Sequence, residues 1–158
     1  MEKKILNDFC FHKPKTLDEA LVLIDKYQEN GLLMEGGSEV IPNMKSLVVT
    51  PDHIISLKHI PEFDYITYTP SEGLHIGPSC TLTKVEYDPN VQSVYPSLYM
   101  GVHGMSNTNI HNISTVTGNI CYAVPSADTA APLLTLNAEL SVKSVDGERK
   151  VPITELFA

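Results

Sequence analysis

Two stretches of small and hydroxyl-bearing residues constrain this chain more than any other feature. One is the turn Gly36-Gly37-Ser38. The other is Asn112-Ile-Ser-Thr-Val-Thr-Gly-Asn119, which runs on into Ala123-Val-Pro-Ser-Ala-Asp128. Where side chains are small, main-chain N–H groups can approach an anion closely. Two such stretches far apart in sequence point to two lobes gripping one extended ligand, with the phosphates of a dinucleotide as the group held by backbone amides. Either stretch alone is weak evidence.

The chain has 158 residues, 42% of them hydrophobic, enough for one domain or two small lobes sharing a core. Charged residues make up 19% and no low-complexity tract occurs, a composition that folds rather than staying disordered. The net charge is -8 with no cluster of lysine or arginine, which argues against a nucleic-acid or anionic-membrane surface. Acidity does not exclude a phosphate ligand, because N–H dipoles at a turn or helix start act locally. Cys10, Cys80 and Cys121 are scattered and form no CxxC, so neither a disulfide framework nor a zinc site is expected, and a reducing cytoplasmic setting fits. His12, His53, His59, His75, His103 and His111 show no HxH or HExxH spacing and read as surface or satisfied residues rather than metal ligands. Met1-Glu-Lys-Lys lacks the apolar run of a signal peptide, and no segment reaches ~18 apolar residues. The expectation is a soluble cytoplasmic protein.

The periodicities predict a short strand over Asp8–His12, then a helix over Leu17–Glu29 with Thr16 and Glu19 as a capping box and Asn30-Gly31 as its end. Leu32-Leu33-Met34 reads as a buried strand, Val40–Leu47 as a helical turn and Ile54–Leu57 as another buried strand. Residues 1–58 are therefore expected to form a small α/β lobe. Residues 59–158 have a different texture, predicting a mixed lobe with antiparallel strands. A hairpin is expected around Pro70–Gly73, and helices over Thr81–Tyr87, Pro96–Met105 and from about Asp128 to Leu136. A second hairpin is expected around Asp146-Gly147. The fold class is α+β. Ile153–Ala158 starts a helix without concluding it, consistent with a domain boundary or a shortened chain.

Each candidate segment also has an ordinary reading. Gly36-Gly37 is a common turn pair, and its spacing is not the GxGxxG of a nicotinamide-dinucleotide site. Thr115 to Asn119 reads as a polar loop, with Thr115 and Asn119 as side-chain donors and Gly118 allowing close approach. Asp128 caps the following helix or addresses a ribose or adenine group, and Pro125 stiffens the bend between. Cys121 reads as a buried small hydrophobe, Lys45 as solvated, and Tyr122 as packing or a base stack.

These residues resemble a known family. The chain is similar to the FAD-binding medium subunits of molybdenum hydroxylases, the xanthine, nicotinate and carbon monoxide dehydrogenases, from about Phe9 to Phe157. Glu35-Gly-Gly-Ser-Glu-Val-Ile-Pro42 stands where that family shows an Ala-Gly-Gly-Thr-Asp-Leu type of turn. Ile110-His-Asn-Ile-Ser-Thr-Val-Thr-Gly-Asn119 matches its Ile-Arg-Asn-x-x-Thr-Ile-Gly-Gly-Asn, with His111 for arginine and Thr117 for the first glycine. Asn119–Asp128 completes the match. The resemblance implies a two-lobed FAD-binding domain that lacks the family's C-terminal domain.

By that resemblance Leu33, Met34, Glu35, Gly36, Gly37, Ser38, Glu39 and Val40 form the first wall of the cofactor site, with Val40 near the isoalloxazine ring. Thr115, Thr117, Gly118 and Asn119 hold the diphosphate from the second wall, Asp128 addresses the adenosine side and Met105 reaches toward the ring. If residue 117 needs a positive φ, its β-branched side chain is costly there. The resemblance further implies FAD as cofactor and partnership with an iron–sulfur subunit and a molybdopterin subunit. Electrons would pass from the clusters to an external acceptor. No catalytic acid, base or nucleophile is expected. The alternative is a flavin-free interaction fragment of the same fold.

Overall fold

A computed structural model describes residues 6–124 and 126–156; Met1–Lys4, Pro125, Phe157 and Ala158, which figure in the expectations above, lie outside them. The fold is α+β. A three-stranded parallel sheet of order β1-β3-β2 comes first, built from β1 (Cys10–His12), β2 (Gly31–Met34) and β3 (His53–Ser56). The central position of β3 explains its continuous apolar run: Ile54 and Ile55 are buried on opposite faces of the sheet.

Helix α1 (Leu17–Tyr27) crosses from β1 to β2 and packs against β2 and β3. Its start follows the expected chemistry. Thr16 Oγ1 accepts the Glu19 N–H at 3.2 Å, while the Glu19 carboxylate accepts the Lys15 N–H at 2.7 Å, one residue before the usual capping-box partner. Its end does not: the α-helix stops at Tyr27, Gln28 takes the left-handed turn at φ 41°, a single 3-10 turn follows, and Gly31 opens β2. Helix α2 (Val40–Lys45) links β2 to β3.

The rest of the chain contains two antiparallel hairpins, β4 (Ile66–Thr69) with β5 (Gly73–Ile76), and β6 (Glu139–Ser144) with β7 (Gly147–Pro152). Between them lies a series of short helices: α3 (Leu82–Tyr87), α4 (Pro89–Val94), α5 (Pro96–His103), α6 (Thr108–His111), α7 (Val116–Tyr122) and α8 (Ala130–Thr135). Helix α9 (Ile153–Leu156) follows β7. The main core gathers Cys80, Leu82, Val85, Val91, Leu98, Val102, Met105 and Val116. Thr81 caps α3 as expected, and Asp88 caps α4 through the N–H groups of Asn90 and Val91. No helix among the described residues is long and apolar enough to cross a membrane.

Three local expectations are corrected. The segment Thr115–Asn119 is the start of α7 rather than a loop, with Thr115 as N-cap. Helix α8 begins after Thr129, and Asp128 makes no capping bond to it; Thr129 is instead held by Asn119. Cys121 is exposed, and Cys80 is the cysteine that packs in the core.

Candidate functional site

The turn after β2 and the segment leading into α7 meet. Ser114 Oγ donates to Ser38 Oγ at 2.9 Å. Gly36 lies against the Ile113 carbonyl so closely that a Cβ built on it falls 1.9 Å from that oxygen. Gly37 adopts φ +76°, the left-handed conformation that favours glycine. Together these residues allow a main-chain turn to pass directly beneath another main-chain segment.

The two segments line one cleft of about 560 Å³, within the usual size range of small-molecule sites. Leu33, Glu35, Gly36, Gly37, Ser38, Glu39 and Val40 line it from the first wall. Thr115, Thr117, Gly118, Asn119 and Asp128 line it from the second, and Met105 reaches it from the end of the α5 region. Met34 does not line the cleft; its sulfur sits under the Gly37 turn, 3.1 Å from where a Cβ would stand. Ser114, Tyr122, Ser106 and Leu57 also line it. Tyr122, a candidate for base stacking, also accepts a hydrogen bond at its hydroxyl from Asn43 Nδ2 at 3.2 Å. Ser114 lies inside the motif, but only its contact with Ser38 marks it out.

The donors differ between the walls. Helix α2 begins without a side-chain cap, but the Ile41 N–H is bonded to the Gly37 carbonyl at 3.1 Å, the Asn43 N–H to the Glu39 carbonyl at 3.1 Å, and Pro42 has no N–H, so Val40 is the first-turn donor left on this wall. Helix α7 is capped: Thr115 Oγ1 accepts the Gly118 N–H at 2.9 Å, and Val116 is buried and does not line the cleft, which leaves the Thr117 N–H as the first-turn donor on this wall. Gly118 thus offers space rather than an N–H. Thr117 is helical and lies outside the positive-φ region, so its side chain carries no backbone strain. Asn119 uses its oxygen on Thr129 Oγ1 at 2.5 Å, and its amide NH2 remains the group able to donate.

Behind the cleft, the buried His111 ring bonds the Met105 carbonyl through Nε2 and Glu86 through Nδ1 at 2.8 Å. Glu86 also accepts from His103 Nδ1 at 2.7 Å. This network fixes the Met105 end of the cleft to α3. It is a structural use of histidine, and no metal-binding group of His, Cys, Asp or Glu occurs among the described residues.

The family described as FAD binding domain in molybdopterin dehydrogenase matches residues 7–158. The chain is 29% identical over 153 residues to the nicotinate dehydrogenase FAD-subunit of Eubacterium barkeri, covering 96% of this chain and 51% of that protein. It is 32% identical over 148 residues to the xanthine dehydrogenase FAD-binding subunit of Escherichia coli O157:H7, covering 92% and 50% respectively. Among solved structures, a carbon monoxide dehydrogenase from Hydrogenophaga pseudoflava superposes with a TM-score of 0.93 at 27% identity, over 98% of this chain and 53% of that one. The chain spans about half the length of the curated relatives it matches.

Proposed function

This chain belongs to the family of FAD-binding domains of molybdopterin dehydrogenases, and from that premise we propose that its cleft binds FAD and that it serves as an electron-transfer component of a molybdenum hydroxylase. In this reading residues 1–58 and 59–158 are the two lobes of the domain. An iron–sulfur subunit and a molybdopterin subunit are its partners, and the assembly works in the cytoplasm. The observation that carries the reading is the convergence of the 36–38 turn and the start of α7 on one cleft, joined through Ser38 and Ser114.

The residues present fit the cofactor. The Val40 N–H at the start of α2 and the Thr117 N–H of α7 supply donors for a diphosphate, and Thr117 Oγ1 adds a hydroxyl. Val40, Leu57 and Met105 supply apolar wall for the flavin end. The Asn119 amide and the exposed Asp128 carboxylate supply a donor and an acceptor for the adenosine side. Bound FAD supplies the redox chemistry, and the protein contributes position and electrostatics. None of these roles requires a side chain to act as an acid, base or nucleophile.

The test is retention of flavin. Protein mixed with excess FAD and desalted is expected to keep the flavin absorbance. Gly118→Leu, which fills the second wall at a position with open space beyond the Thr115 hydroxyl, is expected to remove it. Colourless wild-type protein at high FAD concentration overturns the cofactor reading and favours the flavin-free interaction fragment.

A further inference from the structure

Met105 and Ser106 form the turn between α5 and α6, and both line the cleft. Ser106 adopts φ 49°, a left-handed conformation that a residue with a Cβ keeps only where its surroundings enforce it. The Met105 carbonyl accepts from Nε2 of the buried His111, the last residue of α6. Ile110, next to that histidine, lines the same cleft. His111 therefore holds this wall from behind.

The partners of His111 determine how many protons its ring must carry. Nε2 faces a main-chain carbonyl, and Nδ1 faces Glu86 Oε2 at 2.8 Å. A carbonyl only accepts, and so does an ionised carboxylate. A neutral imidazole has one N–H and one lone pair, so it sets a lone pair against one of these two oxygens. The imidazolium satisfies both. A proton on Glu86 instead is opposed by that residue's second partner, because His103 Nδ1 bonds Glu86 Oε1 at 2.7 Å. This bond chiefly holds the Glu86 carboxyl below the ordinary glutamate value, with His111 adding to the effect and burial opposing it. A single N–H of His103 is enough for its one acceptor, whereas His111 has two.

The surroundings bring little else that titrates. On α3, Lys84 is paired with Asp64 at 2.5 Å and Tyr87 is exposed. On α5, Tyr99 stacks on the His103 ring. Helix α6 has no other ionisable residue, and Cys121 and Tyr122 of α7 belong to the cleft lining.

We propose that His111 is a positioning residue of the cleft that works as an imidazolium: its two N–H groups tie the Met105–Ser106 turn to Glu86, and the turn loosens when the ring gives up its second proton. The effect on flavin affinity rests on the FAD-binding reading; the proton count and the order of the turn do not. Turn order and affinity are both present at pH values where the ring is doubly protonated. Both fall as pH rises through the His111 titration, affinity by at most ~tenfold per pH unit because one proton is involved.

The experiment uses the full chain with 15N-labelled histidine, followed by NMR from about pH 5.5 to 9, the range around the ordinary histidine titration. Hydrogen-exchange protection of residues 104–107 and affinity for FAD are measured at the same pH values. Wild-type His111 is expected to carry protons on both ring nitrogens at the acid end. Protection of the turn is expected to fall in step with loss of the second one. His111→Arg, whose guanidinium offers several donors and does not deprotonate, is expected to keep protection and affinity at the alkaline end. His111→Gln, neutral throughout, is expected to give weak protection and weak affinity with no slope. His103→Gln is expected to leave the slope in place. A His111 ring with a single N–H over the whole range, a turn whose protection ignores the His111 titration, or a slope that survives His111→Arg overturns the proposal. Where His111→Arg does not fold, the wild-type titration set against turn protection decides alone. Flavin binding by no form at any pH overturns the cofactor reading, and NMR and exchange still decide the role of His111.

Discussion

Ser114 Oγ donates to Ser38 Oγ at 2.9 Å across 76 positions of sequence. This bond closes the base of the cleft, because it joins the turn after β2 to the residue just before the α7 cap. Gly36 makes the approach possible by offering no Cβ to the Ile113 carbonyl.

The first prediction concerns that approach. Gly36→Ala places a Cβ where backbone already stands, at 1.9 Å from the Ile113 oxygen. One of the two main-chain segments must move, and overpacking of this kind costs about 1–3 kcal/mol. Thermal unfolding is expected at a lower temperature, with flavin retention reduced in the folded fraction. An unchanged melting temperature would contradict the contact.

Thr115 carries the second. Its buried hydroxyl caps α7 through the Gly118 N–H. Thr115→Val keeps the shape and removes the acceptor, at a cost of about 0.5–2 kcal/mol. Denaturant unfolding is expected to show a lower midpoint with an unchanged slope. Thr115→Ser, which keeps the acceptor, is expected to recover much of the loss.

The third is a pH dependence. The Glu86 carboxyl is held below the ordinary glutamate value of 4.5, chiefly by the hydrogen bond from His103, with His111 adding to the effect and burial opposing it. A carboxyl with a depressed folded value contributes stability above its unfolded value and loses it as pH falls through the folded one. The difference in stability between wild type and Glu86→Gln is therefore expected to be present near neutrality, at about 1–3 kcal/mol, and to shrink below pH 4.5. A difference independent of pH would contradict the network.

The fourth uses Cys121, an exposed thiol in the cleft lining whose burial against the protein on one side pushes its ionisation above the ordinary thiol value of 9.0. Alkylation of Cys121 is expected to be slow at neutral pH, faster in alkali, and slower again with saturating FAD. Cys10, exposed on β1, serves as the internal reference. Peptide mapping by mass spectrometry reads both sites, and equal labelling of Cys121 with and without FAD would contradict its place in the occupied cleft.

Much of the local architecture was legible in the residues. Thr16 with Glu19, Thr81 before α3, the apolar run at Ile54-Ile55 and the Asp146-Gly147 hairpin each carry a local cause: a capping oxygen, a buried strand, a turn that needs glycine. The misreadings also have local causes. Val116–Tyr122 is rich in β-branched and small residues, which have low helix propensity, so its sequence resembles a loop. The Thr115 cap and the burial of Val116 and Ile120 make it a helix. Asp128 has the chemistry of a cap, but Asn119 already holds Thr129, and Asp128 stays exposed.

By itself the sequence determined the two small-residue segments, their order and the strand–turn–helix context of the first, because these follow from side-chain size and neighbouring periodicity. Tertiary structure decided which of their donors remain free. The Gly118 N–H is consumed by Thr115, Asn119 is half-committed to Thr129, and Glu35 is left shielded with an oxygen that nothing in the protein satisfies. Hydrogen-bond satisfaction and desolvation depend on what packs alongside a group, and those neighbours are distant in sequence.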